Sequence, residues 1–261
     1  MPGPLVQVKV HVPSGTIILN RPEKRNALSR ELLQQLEQAF RDLHQERKVR
    51  AVILTGAGQA FCAGMDLAEM KATQEMENPF QQWHEDAVQY REIVELMLRF
   101  PKPIIAAVNG PAVAGGAGLV MASDLTVAAP SASFGLPEPR RGVVAGMVAP
   151  LLAFRLGGSQ AARLLLTAQS IDAAEAHRIG VYHELTGEDQ VWARAHQLAI
   201  ECAQSAPEAL QLTKKVLNET IGEHLVTLLA AGAAASATAR TTEAAKEGLA
   251  AFLEKREPQW L

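Results

Sequence analysis

The sequence has few of the residues that mark several large classes of protein. Its 2 cysteines in 261 residues cannot form a disulfide framework, which is typical of chains in a reducing compartment. Its formal net charge of -3 leaves no basic surplus for nucleic-acid phosphates or an anionic membrane. The longest uncharged stretch late in the chain, 225–239, is too short to span a bilayer, and we see no signal peptide. We therefore expect a soluble cytoplasmic protein with neither nucleic-acid nor membrane partners.

Common catalytic and cofactor motifs are also missing. The 7 histidines show no HExxH or paired ligand spacing, so no metal site is predicted. There is no GxSxG nucleophile motif. Gly56-Ala57-Gly58 begins like a dinucleotide fingerprint, but Phe61 stands in place of the third glycine and a loop follows, which argues against a Rossmann site. Cys62 is interpreted as a small packing residue.

The hydrophobic pattern predicts one large α/β domain in which strands alternate with helices. A content of 48% hydrophobic and 20% charged residues is ordinary for a globular chain of this length. The first predicted elements are strands at 5–12 and 16–20, joined by a turn at Pro13-Ser14-Gly15, and a helix that is capped by Ser29 and runs to about Glu46. In the middle of the chain we predict strands at 51–55, 104–108 and 125–129, helices within 70–99 and 147–169, a short helix within 170–185 and a strand near Val181. From Val191 onward the pattern predicts helices, of which one begins at Pro207 and an Ala-rich one covers 224–253.

The stretch 103–118, PIIAAVNGPAVAGGAG, is the centre of this pattern. The apolar run from Ile104 to Val108 predicts a buried strand, and the residues from Ala114 to Gly118 have almost no side-chain bulk. A helix that starts near Gly115 would present N–H groups without intrahelical partners, which can stabilise an anion or a transition-state oxyanion. Close packing of a helix on a strand explains the same small residues equally well, so both interpretations stay open.

Three motifs in order carry a resemblance to a known family. They are FCAGMDL at 61–67, the stretch 103–118, and FGLPEPRRG at 134–142, with NRPEKRNAL at 20–28 and EGLAAFLEKREPQW at 247–260 in support. Together they resemble the crotonase (enoyl-CoA hydratase/isomerase) superfamily. The resemblance implies an α/β spiral of ββα repeats over 1–200. It also implies a helical C-terminal region, 201–261, that closes the acyl pocket and forms homotrimers or dimers of trimers.

The resemblance further implies an acyl-CoA thioester substrate, with coenzyme A as part of the substrate and no separate cofactor. It assigns the oxyanion-hole N–H groups to Met65 and Gly115 and the acid/base to Glu138. A solvated loop carboxylate is the alternative for Glu138. The substrate-binding residues that it implies are Lys24, Arg25, Ala63, Asp66, Leu67, Gly116, Gly118, Gly146 and Lys255. For the three basic residues, a solvated surface charge is the alternative.

Gly118 stands where many hydratases of this family have their first glutamate. Adding water across a double bond is easiest when two groups share one water, whereas one base can move a proton between two carbons. The glycine therefore favours isomerisation, although single-glutamate hydratases in the family keep hydration open. Arg140 and Arg141 could tune the charge of Glu138 or face water.

The predicted function is thus enoyl-CoA isomerisation or hydration through a thioester enolate. The alternative is a catalytically weak acyl-CoA-binding member of the fold. His84 lies in the region that shapes the acyl pocket in relatives, but a surface or core role is the simpler prediction. The acyl chain itself cannot be derived from the pattern.

Overall fold

The structure is a computed structural model that describes residues 3–260, apart from the side chain of Ile221. Its strands form two sheets. The larger has the order β1-β2-β3-β4-β6-β9 and the smaller the order β5-β7-β8. The strands are β1 (Val6–His11), β2 (Ser14–Leu19), β3 (Ala51–Gly56), β4 (Ile104–Val108), β5 (Ala112–Val113), β6 (Leu125–Ala128), β7 (Ser133–Gly135), β8 (Ser170–Asp172) and β9 (Glu184–Leu185).

Helices follow the strands and cover the sheets. The α-helices are α1 (Arg30–Gln45), α2 (Leu67–Gln74), α3 (Pro79–Arg99), α4 (Gly115–Ala122), α5 (Val148–Thr167), α6 (Ala173–Arg178), α7 (Val191–Ala203), α8 (Pro207–Lys215), α9 (Leu225–Ala239) and α10 (Glu243–Glu254). Short 3-10 helices span Pro22–Lys24 and Glu138–Arg141, and a π-helical segment spans Val216–Ile221.

The first unit follows the sequence pattern closely. β1 and β2 pair antiparallel, and β2 pairs parallel with β3 across α1, as expected for a crossover. The Ser29 side chain caps α1 by accepting from Leu32 N–H at 3.2 Å. The apolar face of α1 is buried against the sheet, which holds the helix in place. β2 begins at Ser14, two residues earlier than predicted, so the turn consists of Val12 and Pro13.

Later units place one strand in each sheet. β4 lies at the centre of the larger sheet and is buried throughout, while β5 pairs with β7 in the smaller sheet. β6 pairs with β4, and β7 follows it into the smaller sheet. This repeated division of strands between two sheets agrees with the predicted spiral of ββα units. It also brings the strand ends before α4 and before Glu138 to the same region.

Two predicted elements are wrong in detail. The strand expected near Val181 is a two-residue strand at Glu184–Leu185, which pairs with β6, while Val181 is a buried turn residue. The helix expected over 224–253 is two helices, because Thr242 caps α10 by accepting from Ala245 N–H at 3.1 Å. α9 packs on α3 and α5, and α10 packs on the 3-10 helix Glu138–Arg141. Within the described residues, no helix is both long and apolar enough to cross a membrane.

Candidate active site

A cavity of about 70 Å³ lies where α4 begins, under the C-terminal helices. Its wall combines the loops after β3 and β7 with residues of α3, α9 and α10. The lining residues are Met65, Leu67, Met70, Tyr90, Ala114, Gly115, Glu138, Arg141, Val143, Val144, Ala145, Gly146, Met147, Val148, Ser236, Arg240 and Leu249. Of the residues implied by the family resemblance, Met65, Leu67, Gly115, Glu138 and Gly146 therefore share one cavity.

The start of α4 presents a backbone donor to this cavity. Gly115 is the first residue of the helix, so its N–H has no intrahelical acceptor, and no other atom of residues 3–260 accepts from it. The preceding residue, Ala114, has φ 52 and ψ -121, which a non-glycine residue rarely adopts. Backbone strain of this kind is found where the surrounding structure over-determines a functional turn.

The loop after β3 presents a second donor. Leu28 N–H donates to Gly64 O at 2.8 Å, and Asp66 N–H donates to Leu28 O at 3.0 Å. Met65 lies between Gly64 and Asp66 in this parallel bridge, so its own N–H points away from Leu28. No acceptor within the described part of the chain takes this N–H, and Met65 lines the cavity.

Glycines hold these two loops against each other. A Cβ added at Gly64 would lie 2.7 Å from Ala114 Cβ and 3.2 Å from the Gly115 nitrogen. A Cβ at Gly116 would lie 2.3 Å from Cys62 O. Side chains cannot approach so closely, and therefore the close contact of the two donor loops depends on glycine at both positions. Gly116 thus acts in packing and does not line the cavity.

Glu138 supplies the carboxyl group of the cavity. It begins the 3-10 helix Glu138–Arg141, and its carbonyl accepts from Val143 N–H at 3.1 Å, which fixes its backbone. The side-chain Oε2 is buried and has no hydrogen-bond partner in residues 3–260. Burial raises the pKa of Glu138 to about 7, against the lowering influence of its own backbone N–H and of Arg141. A carboxyl with this pKa can both accept and return a proton near neutral pH.

The two arginines that follow Glu138 have different environments. Arg141 lines the cavity, and its guanidinium carbon lies 4.2 Å from the centroid of the Phe252 ring. Burial lowers the pKa of Arg141, while the charge of Glu138 raises it. Arg140 is exposed and donates from Nη2 to Thr167 O at 3.3 Å. Arg141 is thus the arginine whose charge acts on Glu138.

Tyr90 fills the space beside Gly118. A Cβ at Gly118 would lie 2.1 Å from the Tyr90 hydroxyl oxygen and 3.0 Å from Val148 Cγ2. The Tyr90 hydroxyl donates to Gly115 O at 2.6 Å, and burial raises the pKa of Tyr90 well above its usual value, so the phenol stays neutral. The space that a side chain at position 118 would occupy is therefore filled by Tyr90 of α3 and is not open to a ligand.

The other predicted site residues lie outside this cavity wall. Lys24, Arg25 and Lys255 are exposed, and Arg25 O accepts from Ala63 N–H at 3.0 Å, which ties the basic loop to the loop after β3. His84 is also exposed. Cys62 is buried, donates to Asn26 O at 3.2 Å, and has its pKa raised by burial to about 12, which suits a packing role.

Asp66 is engaged in holding the loop. Its Oδ1 accepts from Ala68 N–H at 2.9 Å as the cap of α2, and its Oδ2 accepts from Arg21 at 2.5 Å. Burial opposes the charge, but the bonds from Arg21 and from backbone N–H groups leave the pKa of Asp66 below its usual value. Gly146 packs on α9, because a Cβ there would lie 2.1 Å from Gly232 O.

Three residues of this region were missed from the sequence: Tyr90, Arg240 and Trp83. Tyr90 and Trp83 lie on the core-facing side of α3, where an aromatic residue normally indicates packing only. Arg240 lies at the end of α9 and is only 7% exposed. A single arginine in an Ala-rich segment gives no signal of burial, since arginine is mostly found at surfaces.

Comparisons with known proteins agree with this fold. The family model described as Enoyl-CoA hydratase/isomerase matches residues 15–261. A Thermus thermophilus protein is 40% identical over 257 residues, covering 98% of this chain and 100% of that protein. The short-chain-enoyl-CoA hydratase of Clostridium acetobutylicum is 33% identical over 242 residues, covering 92% of this chain and 91% of its own.

The solved structures lead to the same conclusion. The crystal structure of an enoyl-CoA hydratase from Mycobacterium avium superposes with a TM-score of 0.88 at 32% identity, with both chains covered completely at 100%. Since the family model and these relatives extend over nearly the whole chain, this protein belongs to the enoyl-CoA hydratase/isomerase family and has the crotonase fold.

Proposed function

We propose that this protein hydrates or isomerises enoyl-CoA thioesters, with Glu138 as its only acid/base. One observation carries the proposal: Met65 and Gly115, whose backbone N–H groups have no acceptor within the described residues, line one cavity together with Glu138. Two donors without acceptors and one carboxyl with a pKa near 7 are the groups needed to form an enolate and to move its proton.

The two N–H groups would bind the thioester oxygen. When a nucleophile or base acts on the acyl chain, the carbonyl becomes an enolate and negative charge develops on that oxygen. Donors of this kind are worth about 2.7–4 kcal/mol each in acyl-transfer sites. The Tyr90–Gly115 hydrogen bond and the glycine contacts hold the donors in place before the substrate arrives.

Glu138 would move the proton. In hydration, ionised Glu138 takes a proton from water as the water oxygen bonds to C3 of the 2-enoyl chain, and the electrons of the double bond pass to the thioester oxygen. The protonated carboxyl then gives that proton to C2, which completes the addition of one water. Its raised pKa makes both transfers accessible at the same pH.

Isomerisation is the second candidate, and the Gly118–Tyr90 pair favours it. Because the Tyr90 hydroxyl fills the position next to Gly118, no second carboxylate stands there to share a water. A single carboxyl can take a proton from C2 of a 3-enoyl-CoA and return it to C4. The Clostridium relative's name supports hydration, so the two reactions are to be separated by assay.

The cavity favours a short acyl chain. Its volume is about 70 Å³, and the Clostridium relative is named for short-chain substrates. Lys24, Arg25 and Lys255 are exposed, and we propose that they meet the phosphates of coenzyme A outside the cavity. We also propose that Ala63, Asp66 and Gly116 support substrate binding by holding their loops in place. The reaction would need no cofactor beyond the coenzyme A of the substrate. The protein would assemble as a homotrimer or a dimer of trimers.

The experiment compares crotonyl-CoA with but-3-enoyl-CoA and follows the absorbance of the conjugated thioester. Turnover of the first supports hydration and turnover of the second supports isomerisation. Glu138→Gln is expected to lower either rate at least 100-fold, whereas Glu85→Gln, at an exposed glutamate of α3, is expected to leave it unchanged. If neither ester reacts although both bind, the alternative of a catalytically weak acyl-CoA-binding protein is correct.

A further inference from the structure

Arg240 is a buried cation without a partner. It is 7% exposed and lines the cavity together with Glu138 and Gly115. Its Nε and Nη1 are inaccessible to solvent, and no atom of residues 3–260 accepts a hydrogen bond from them. Guanidinium stays protonated in proteins, so this side chain remains charged after burial. An unpaired buried charge is among the most costly features that a fold can contain.

Trp83 is another residue near Arg240 with a buried donor that has no partner. Its indole Nε1 is buried and has no acceptor within residues 3–260. A smaller cavity of about 10 Å³ lies between Trp83 and Arg240. It shares Met70, Val143, Arg240 and Leu249 with the larger cavity, but neither Glu138 nor Gly115 lines it. Arg240 therefore lies in the wall of both cavities, and Trp83 lines only the smaller one.

The surroundings of Arg240 do not neutralise it. The acid whose charge acts on Arg240 is Asp86, which already accepts from Arg30 Nε at 2.6 Å, from Arg30 Nη2 at 2.9 Å and from Gln82 Nε2 at 2.9 Å. The positive charge of Arg30 opposes the effect of Asp86 on Arg240. Glu69 accepts from Arg30 N–H at 3.0 Å, and within the described residues it forms no ion pair with Arg240.

Other arginines with a buried, unpartnered nitrogen differ from Arg240. Arg155 has one such atom, its Nε, but its Nη2 donates to Ser123 O at 3.3 Å. Arg91 also has one, and it pairs with Glu95 at 3.3 Å. Neither of them lines the cavity. Arg240 thus combines two orphaned donors, an uncompensated charge and a position in the pocket wall.

We propose that the acyl group of the natural substrate ends in a carboxylate, which Arg240 binds from the wall of the larger cavity. This inference rests on the proposed function, since it deepens the assignment of the same pocket. A carboxylate supplies the missing charge and can accept from the two unpartnered Arg240 nitrogens. A neutral alkyl chain would leave the charge and both of these donors unsatisfied.

The test compares two acyl chains of similar size. Hex-2-enoyl-CoA is neutral, and pent-2-enedioyl-CoA carries a carboxylate in place of its two terminal carbons. The expected kcat/KM is at least 10-fold higher for the dicarboxylic ester, and Arg240→Met is expected to lower the ratio of the two values about 100-fold, the range found when one partner of a buried charged pair is removed. Arg240→Lys should recover part of the ratio.

Arg155→Met is the matched control, since it also removes a buried arginine but one outside the pocket. It is expected to leave the ratio unchanged. A wild-type ratio below 1, or an Arg240→Met variant that lowers both values equally, would show that Arg240 has a structural role, including one of pairing with an acid of another subunit, and would overturn the proposal.

A binding measurement separates this inference from the proposed function. Calorimetry with the saturated esters glutaryl-CoA and hexanoyl-CoA needs no turnover. Tighter binding of glutaryl-CoA that is lost in Arg240→Met supports the carboxylate site even if no enoyl ester reacts. Turnover of hex-2-enoyl-CoA together with equal or weaker binding of glutaryl-CoA would keep the proposed function and refute the carboxylate site.

Discussion

The charge state of Glu138 is set by opposing influences. Burial raises its pKa, and its own backbone N–H and the neighbouring Arg141 lower it, which results in a value of about 7. Because the proposed reactions start from the ionised carboxylate, log kcat/KM is expected to rise with pH below about 7 and to level off above it. This profile makes the influence of Arg141 measurable.

Arg141→Gln removes the positive charge that lowers the pKa of Glu138. The midpoint of the pH–rate profile should therefore move to higher pH by about 1 unit, the lower end of the range for a neighbouring opposite charge, because Arg141 is the smallest of the influences on Glu138. Arg140→Gln is the matched control, because Arg140 is the adjacent arginine but is exposed. An unchanged midpoint in Arg141→Gln, or an equal shift in both variants, would contradict the assigned interaction.

The buried carboxyl also has a predicted cost in stability. The pKa of Glu138 is raised in the folded state from 4.5 to about 7, so the folded protein binds more protons than the unfolded chain between these values. Stability contributed by the protonated group is present below pH 4.5 and is lost as the pH rises to about 7. Above pH 7 the loss is complete and constant.

Glu138→Gln has no such titration. Compared with the wild type, its free energy of unfolding should increase progressively between pH 4.5 and 7 and exceed the wild-type value by about 1–3 kcal/mol at pH 8. Urea unfolding at pH 4.5, 6 and 8 measures this difference. A difference that does not depend on pH would show that Glu138 is solvated when ionised.

At the scale of elements, the packing of α3 on α4 decides what can stand at position 118. Gly118→Ala would place a Cβ 2.1 Å from the Tyr90 hydroxyl oxygen, and we expect a loss of about 1–3 kcal/mol from overpacking. In a Tyr90→Phe background the contact with the oxygen is gone, and the nearest remaining atoms are Val148 Cγ2 at 3.0 Å and the ring Cζ at 3.3 Å, so the same substitution should cost less.

The double-mutant cycle in urea isolates this contact. A coupling free energy of at least 1 kcal/mol between the two positions is expected, since residues in contact are strongly non-additive. Tyr90→Phe alone also removes the hydrogen bond to Gly115 O, so its own cost is measured separately within the cycle. Additive effects would mean that Tyr90 does not fill the position beside Gly118.

Local signals in the sequence predicted much of this arrangement. Ser29 has its preferred capping role, and the apolar run Ile104 to Val108 forms the central strand. The break between α9 and α10 was missed because the Ala-rich composition conceals the Thr242 cap. Tyr90 and Arg240 could not be found, because their roles depend on contacts between elements far apart in the chain, such as Tyr90 with Gly115.

For the whole molecule, the C-terminal helices leave apolar side chains in contact with water. Leu212, Val216, Leu217, Leu228 and Leu253 are all exposed in the single chain. Exposed apolar side chains that adjoin one another mark interfaces with other proteins, and a closed ring of identical chains is a common way to bury them. It supports the prediction that residues 201–261 take part in trimerisation.

Light scattering on the purified protein should give about 84 kDa, three times the 28.0 kDa of one chain, or twice that mass for a dimer of trimers.

Leu212→Glu is expected to shift the mass toward 28.0 kDa, because it places a charge in the proposed interface without disturbing the fold of the single chain. Leu166→Glu is the control, since Leu166 on α5 is even more exposed, at 83% against 62%, but lies outside the C-terminal helices. If Leu166→Glu dissociates the assembly and Leu212→Glu does not, the interface involves α5. A wild-type mass of one chain would refute assembly altogether, and the exposed leucines would then need a different partner.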